Sequence, residues 1–124
     1  MIGITLDTGA LIALERRGQR MREIVERALA KDQPITVPAH VVGEWWRGRT
    51  DLRENILESV DVEPLTEALA KLAGEALAAI RSATLVDAIV MASAASRGDI
   101  VYSSDVEDLE RLRRRFPGVR VLRV

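Results

Sequence analysis

Short runs of β-branched residues alternate along the chain with longer stretches whose apolar residues recur at helical spacing. The runs predict five strands, at residues 2–6, 35–37, 60–65, 100–102 and 119–122. Helices are predicted between them, over residues 10–14, 22–31, 38–46, 51–59, 66–81, 85–97 and 106–116. Strands separated by helices are typical of a parallel α/β sheet with helices on both faces. Pro64 indicates that the third strand lies at an edge of that sheet.

Length and composition narrow the class of protein. A chain of 124 residues can bury roughly two-thirds of its unfolded surface, so we expect one domain over residues 1–124. With no Cys and with His40 as the one histidine, disulfide frameworks, thiolate zinc sites and cysteine nucleophiles are excluded. No apolar stretch is long enough to span a bilayer, and the amino terminus lacks a basic signal region, so we expect a cytoplasmic protein.

Four carboxylates stand at unusual positions. Asp7 and Asp105 follow predicted strands, where the carboxyl ends of a parallel sheet form a ligand-binding crevice. Glu44 shares a helical face with Val41, and Asp87 shares one with the apolar residues Val90, Met91 and Ala94. That second face must be buried, so Asp87 should pair with Arg, become protonated or bind a metal.

Simpler interpretations stay open for each acid. Asp7 and Asp105 are favoured residues for capping a helix, and Asp108, one turn on, could line the crevice in place of Asp105. Glu44 could face solvent beside Arg47. Thr8 and Ser103 are hydroxyl neighbours that could hydrogen-bond an acid or only cap helices.

Taken together, the four acids predict a cation site. Converging carboxylates repel one another, and oxygen-only ligands select hard ions such as Mg²⁺ or Mn²⁺. Because Mg²⁺ is commonly shared between carboxylates and phosphates, metal-assisted attack on a phosphodiester is the chemistry that fits.

These residues resemble one known family. Leu6-Asp7-Thr8, Glu44 after Val41-Val42, Val86-Asp87-Ala88-Ile89 and Tyr102-Ser103-Ser104-Asp105 occur in the order and spacing of the PIN-domain ribonucleases, and within them of the VapC-type toxins. The resemblance covers almost the whole chain. Ser103 stands where the family more often has Thr, and Trp45-Trp46 replaces smaller residues.

The resemblance implies a PIN-like three-layer sandwich with a five-stranded parallel sheet. It also implies an endoribonuclease that depends on Mg²⁺ or Mn²⁺ and uses a metal-activated water. The catalytic site would consist of Asp7, Glu44, Asp87 and Asp105. Of these, Asp7, Asp87 and Asp105 would bind the metal, Asp7 and Asp87 most firmly. Thr8, Ser103 and Asp108 would support these ligands without binding the metal directly. Proteins of this kind commonly form homodimers and are inhibited by an antitoxin whose tail fills the acidic groove.

Arginine and tryptophan suggest contact surfaces. Arg16 and Arg20, and likewise Arg111 and Arg115, are predicted one helical turn apart, so each pair could bind RNA phosphates, although a solvated helix face explains them equally well. Trp45 and Trp46 point about 100° apart on a helix, so they cannot both enter one core.

Two non-enzymatic alternatives remain. A phosphoacceptor receiver domain has the same size and sheet class, but it requires an acceptor Asp after the third strand and a Lys after the fifth. The sequence there is Glu63-Pro64-Leu65 and Leu122-Arg123-Val124. A non-catalytic PIN-like interaction module is the second alternative, and the presence of all four acids argues against it.

Overall fold

The computed structural model describes residues 2–124, which form strands and helices in alternation. The strands are β1 (Ile4–Leu6), β2 (Ile35–Pro38), β3 (Asp61–Glu63), β4 (Ile100–Ser103) and β5 (Arg120–Arg123). The helices are α1 (Thr8–Glu15), α2 (Gln19–Ala30), α3 (Ala39–Trp45), α4 (Asp51–Glu58), α5 (Glu67–Ala79), α6 (Leu85–Arg97) and α7 (Val106–Leu112). Within residues 2–124, no helix is both long and apolar enough to cross a bilayer.

All five strands are parallel, in the order β3-β2-β1-β4-β5. Ile4 pairs with Ile35 on one side and with Ile100 on the other, so β1 lies at the centre of the sheet. Right-handed crossovers place α1–α4 on one face and α5–α7 on the other. The three-layer sandwich and the edge position of β3 are confirmed. A receiver-like sheet would have the order 2-1-3-4-5, so that alternative is excluded.

The core lies on both sides of the central strands. Ile4 and Leu6 of β1 are fully buried, and so are the apolar residues that α6 presents to the sheet. The two tryptophans separate as predicted, because Trp45 is buried while Trp46 is half-exposed. Short buried strands of this kind hold the residues that follow them at fixed positions along one edge of the sheet.

A partly buried ionic cluster lies at the carboxyl end of α6. Arg97 donates from Nε to Asp99 Oδ2 over 2.9 Å and also binds the Glu63 carboxylate. Thr5 donates to Asp99 over 2.9 Å, and Ser93 donates to Glu63 over 2.6 Å. Both carboxylates of this Arg97 cluster therefore have a cation and a hydroxyl as partners.

Several element boundaries differ from the sequence prediction. Helix α1 begins at Thr8, two residues early, because Asp7 caps it. Helix α2 begins at Gln19, directly after Gly18, and not at residue 22. Helix α7 ends at Leu112 and not at residue 116, so the last predicted turn of that helix is a set of tight turns. Strand β3 is three residues long, shorter than the predicted 60–65.

Candidate active site

A cavity of about 220 Å³ opens at the carboxyl ends of β1 and β4. We call it the acidic cavity, because its wall includes five carboxylates, those of Asp7, Glu44, Asp87, Asp105 and Asp108. They come from distant parts of the chain and from both faces of the sheet. The four acids singled out in the sequence thus line one cavity, together with Asp108.

Asp7 sits deepest in this group. It follows β1, and its Oδ1 accepts a hydrogen bond from the backbone N of Ala10 over 2.9 Å, so it caps α1. Its side chain also lines the acidic cavity, so the capping role and the cavity role belong to the same residue. Burial raises the pKa of Asp7 from 3.8 to about 6, although hydrogen bonds from Ser103 and Ala10 partly oppose the rise. The charges of Asp87 and Asp105 also contribute to this raised pKa.

Gly9 explains how the loop after β4 comes so close to Asp7. A Cβ atom at Gly9 would lie 1.9 Å from Ser104 Oγ and 2.7 Å from Ser104 Cβ. Only glycine therefore allows α1 to contact this loop. Sequence reasoning missed Gly9, although a glycine in the first turn of a helix, two residues after a candidate acid, is a signal for such a close approach.

Ser103 fixes the start of the same loop. Its Oγ is buried and accepts a hydrogen bond from the backbone N of Asp105 over 2.8 Å. Asp105 occupies the N-cap position of α7, but its side chain makes no capping hydrogen bond. The carboxylate of Asp105 is exposed and faces the cavity, so the capping interpretation of Asp105 fails for its side chain.

Asp87 lies in the first turn of α6. Val90, Met91 and Ala94 are buried as predicted, but Asp87 is only half-buried, because the helix begins at the cavity wall. Its backbone N donates to Thr84 Oγ1 over 3.2 Å, which makes Thr84 the cap of α6. Burial raises the pKa of Asp87, the Thr84 hydrogen bond opposes the rise, and the charges of Asp108, Asp105 and Glu44 add to it.

Glu44 approaches the cavity from α3. Of the two interpretations left open for Glu44, exposure to solvent is the one observed, since Glu44 is exposed and Trp45 is buried beside it. Thr8 Oγ1 donates to Glu44 Oε1 over 2.6 Å and thereby ties α3 to the start of α1. The short polar contact holds Glu44 over the mouth of the cavity.

No lysine, arginine or histidine of residues 2–124 lines the acidic cavity. Asp108 has an external partner, because Arg111 Nη2 lies 2.7 Å from its Oδ1. Within residues 2–124, no three carboxylates are close enough together to form a preformed metal-binding group. The donor set nevertheless fits a hard cation, because it consists of oxygens only and two of its acids have raised pKa values.

The predicted arginine pairs do not form. Arg16 is the C-cap of α1 while Arg20 lies in α2, and Arg17 between them has a positive φ of 59° that ends the first helix. Arg115 lies beyond the end of α7 and points to Glu75, whereas Arg111 points to Asp108. These arginines therefore do not form helical pairs along a groove.

Arg20 does not line the acidic cavity and is hydrogen-bonded elsewhere in the fold. Its Nε donates to the backbone carbonyl of Arg123 at the end of β5, over 2.9 Å. His40 is exposed and takes no part in the cavity wall.

Comparison with known protein families gives a match to the PIN domain over residues 4–115. The chain belongs to the PIN domain family. Its resemblance to this family, inferred from Asp7, Glu44, Asp87 and Asp105, is thereby confirmed. No curated protein sequence matches the chain.

Chains of several solved structures superpose on this chain over nearly its full length. A chain in the structure of VapBC2 from Rickettsia felis bound to a promoter DNA fragment gives a TM-score of 0.78 at 13% identity, covering 100% of this chain and 99% of that one. A chain of DNA-bound VapBC from Salmonella typhimurium gives 0.77 at 17% identity, with 99% and 98% covered. FitAcB from Neisseria gonorrhoeae gives 0.66 at 17% identity, with 96% of each chain covered. At these identities the similarity establishes a shared fold.

Proposed function

We propose that this PIN domain is an endoribonuclease that hydrolyses RNA phosphodiester bonds with Mg²⁺ or Mn²⁺. The observation that carries the proposal is the acidic cavity, which has five carboxylates and no basic residue in its described wall. Burial and mutual repulsion raise the pKa of Asp7 and of Asp87, so the ionised cavity is unfavourable until a cation enters it.

Asp7, Asp87 and Asp105 are the residues that would hold the metal ion. When bound, Mg²⁺ or Mn²⁺ neutralises these carboxylates and supplies a Lewis acid for the phosphate. Glu44 is the catalytic base in this proposal, because Thr8 occupies its Oε1 and leaves Oε2 to accept a proton from water. Ser103 keeps Asp7 and Asp105 in place through its buried hydroxyl, and Asp108 adds negative charge at the rim.

The biological role we propose is that of a toxin in a type II toxin–antitoxin pair in the cytoplasm. Support comes from the structures that share the fold, which are described as VapBC and FitAcB proteins. The partner would be a cognate antitoxin that closes the acidic cavity until the toxin is released. Residues 1–124 would act as one domain in this pair.

Cleavage of RNA is the decisive test. Purified protein should cut single-stranded RNA with Mg²⁺ or Mn²⁺ and not with EDTA. Asp7→Asn should lower the rate on the order of a hundredfold or more, because it removes one anchor of the metal while Asn still accepts the hydrogen bond from Ala10. Asp61→Asn is the matched control, since Asp61 is exposed on the edge strand. Cleavage by Asp7→Asn at the wild-type rate would refute the proposed site.

Self-association is a separate expectation. We propose that two copies associate through their helical faces, as the resemblance implies. Sedimentation equilibrium should then show a dimer, and only monomer at high concentration would contradict this part of the proposal.

The non-catalytic module remains the second candidate. The structural contacts of the acids favour it, because Asp7 caps α1 and Glu44 ties α3 to Thr8 without any metal. Titration with Mn²⁺ separates the two candidates, because an interaction module would neither bind the metal in the cavity nor cut RNA in its presence.

A further inference from the structure

A second cavity of about 450 Å³ adjoins the acidic cavity, and Glu44 belongs to the walls of both. We call it the basic pocket, because three of its wall residues are arginines. Its wall consists of Ile12, Glu15, Arg16, Glu44, Trp45, Arg47 and Arg53. A ligand that fills the acidic cavity and extends past Glu44 therefore enters the basic pocket next.

A partly buried group of polar contacts supports the wall of the basic pocket. Both oxygens of Glu15 have partners, because Trp45 Nε1 donates to Oε1 over 2.9 Å and Arg53 Nε donates to Oε2 over 2.9 Å. Arg53 also donates from Nη1 to the Gly48 carbonyl over 2.9 Å. Glu15 and Arg53 thus neutralise each other and fix the wall formed by α1, α3 and α4.

Two arginines remain as the free positive charges of the pocket. Arg16 and Arg47 are exposed, and among residues 2–124 neither forms a salt bridge. Arg47 makes one hydrogen bond, from Nη1 to the neighbouring Trp46 carbonyl over 2.7 Å. Arg16 has no side-chain hydrogen bond within the described chain. Most of their donors therefore point to solvent and are available to a ligand.

We propose that Arg16 and Arg47 bind a backbone phosphate of the RNA strand next to the phosphate that is cleaved. This inference rests on the proposed nuclease function and gives the strand a path from the acidic cavity over Glu44. The chain carries a net charge of −1 and its cavity carries five acids, so an RNA strand needs a positive site close by. Guanidinium groups bind phosphate oxygens through paired hydrogen bonds, which suits Arg16 and Arg47 to this task.

Binding of a fluorescent oligouridylate tests the inference without cleavage. The measurement uses Asp7→Asn protein with Mg²⁺, by anisotropy over a series of salt concentrations. Adding Arg16→Gln and Arg47→Gln should weaken binding about tenfold and reduce the slope of log K against log salt by about 0.7 for each phosphate that is no longer neutralised. The control adds Arg27→Gln and Arg114→Gln, which remove the same charge from exposed positions outside both cavities.

Three outcomes would overturn the inference. These are no binding of the oligouridylate at low salt, an equal weakening in the control variant, and unchanged affinity in the Arg16 and Arg47 variant. Thermal melting of each variant shows whether it is folded, and Arg53 is left intact because it supports Glu15. Failure of the nuclease proposal appears separately, as absence of cleavage by the wild-type protein, while the binding difference is read in a variant that need not cut.

Discussion

Helix α6 connects two groups of carboxylates that differ in whether a basic side chain lies among them. At its start, Asp87 joins the acidic cavity, whose described wall holds no cation. At its end, Arg97 lies between Asp99 and Glu63 and binds both. Asp87 and Arg97 are ten residues apart on this helix, a rise of about 15 Å.

The difference shows how a fold can mark a functional site. In the Arg97 cluster the guanidinium group of Arg97 neutralises the acids, so they contribute to the structure without a bound cation. In the acidic cavity Asp108 alone has a cationic partner among residues 2–124, Arg111, while burial and the charges of Asp87 and Asp105 raise the pKa of Asp7. We therefore expect the Arg97 cluster to stabilise the fold and the metal-free acidic cavity to destabilise it.

The largest effect on stability is expected at the paired end. Arg97→Met leaves Asp99 buried and Glu63 largely buried without a cation, so the free energy of unfolding should fall by about 3 kcal/mol. Urea unfolding measures the loss. The control is Arg49→Met, which removes an exposed pair with Asp51 and should cost less than about 1 kcal/mol. Equal effects of the two variants would mean that the Arg97 cluster does not hold the fold.

Asp7→Asn should have the opposite sign. A pKa raised from 3.8 to about 6 means that ionised Asp7 destabilises the folded state by up to about 3 kcal/mol at neutral pH. Below pH 3.8 both states are protonated, so wild type and variant should differ little there. As the pH rises from about 3.8 to about 6, the wild type should lose stability relative to the variant, because the carboxyl group ionises in the unfolded chain before it does in the folded one. Urea unfolding in EDTA across this range checks the trend, and a constant difference would contradict it.

Metal should reverse this cost in the wild type. Mg²⁺ or Mn²⁺ at a hundred times its Kd should stabilise the protein by about 2.7 kcal/mol, and EDTA should remove the gain. Asp87→Asn should lose most of the response, whereas the exposed Asp61→Asn should keep it. A melting temperature unaffected by metal in the wild type would show that the acidic cavity does not bind it.

Gly9→Ala should give the smallest change in stability. The added methyl group meets Ser104, so the loop must shift, at a cost of about 1–2 kcal/mol. Activity should fall more than this cost implies, because the shift carries Asp105 away from Asp7. Gly43→Ala is the control, since a Cβ there meets nothing within 4 Å. Full activity in Gly9→Ala would separate the loop contact from the site.

Much of the fold follows from local patterns. All five strands and the long helices α5 and α6 were predicted, because their apolar periodicity is strong and their caps, such as Thr84, are typical. The predictions failed where backbone conformation decided the outcome. The positive φ of Arg17 ends α1 and separates Arg16 from Arg20, and nothing in an arginine indicates such a turn.

The residues of the candidate site likewise include some that the sequence predicted and some that it did not. Asp7 and Asp105 were found because the ends of parallel strands meet at one edge. The exposure of Glu44 was left open as one of two interpretations, because helical spacing alone does not show which flank of Val41 faces the core. The Arg97 cluster was not predicted either, since its contacts join residues far apart in the chain.

Asp7 both caps α1 and lines the acidic cavity, and this combination has an evolutionary consequence. Asn accepts the same capping hydrogen bond and removes the cost of a buried charge, so a one-residue change to Asn would keep the fold and make it more stable. Selection for folding alone therefore pushes this position away from the acid. A lineage keeps Asp7 only while its chemistry is useful, and a descendant freed from that demand drifts readily toward a stable, inactive relative.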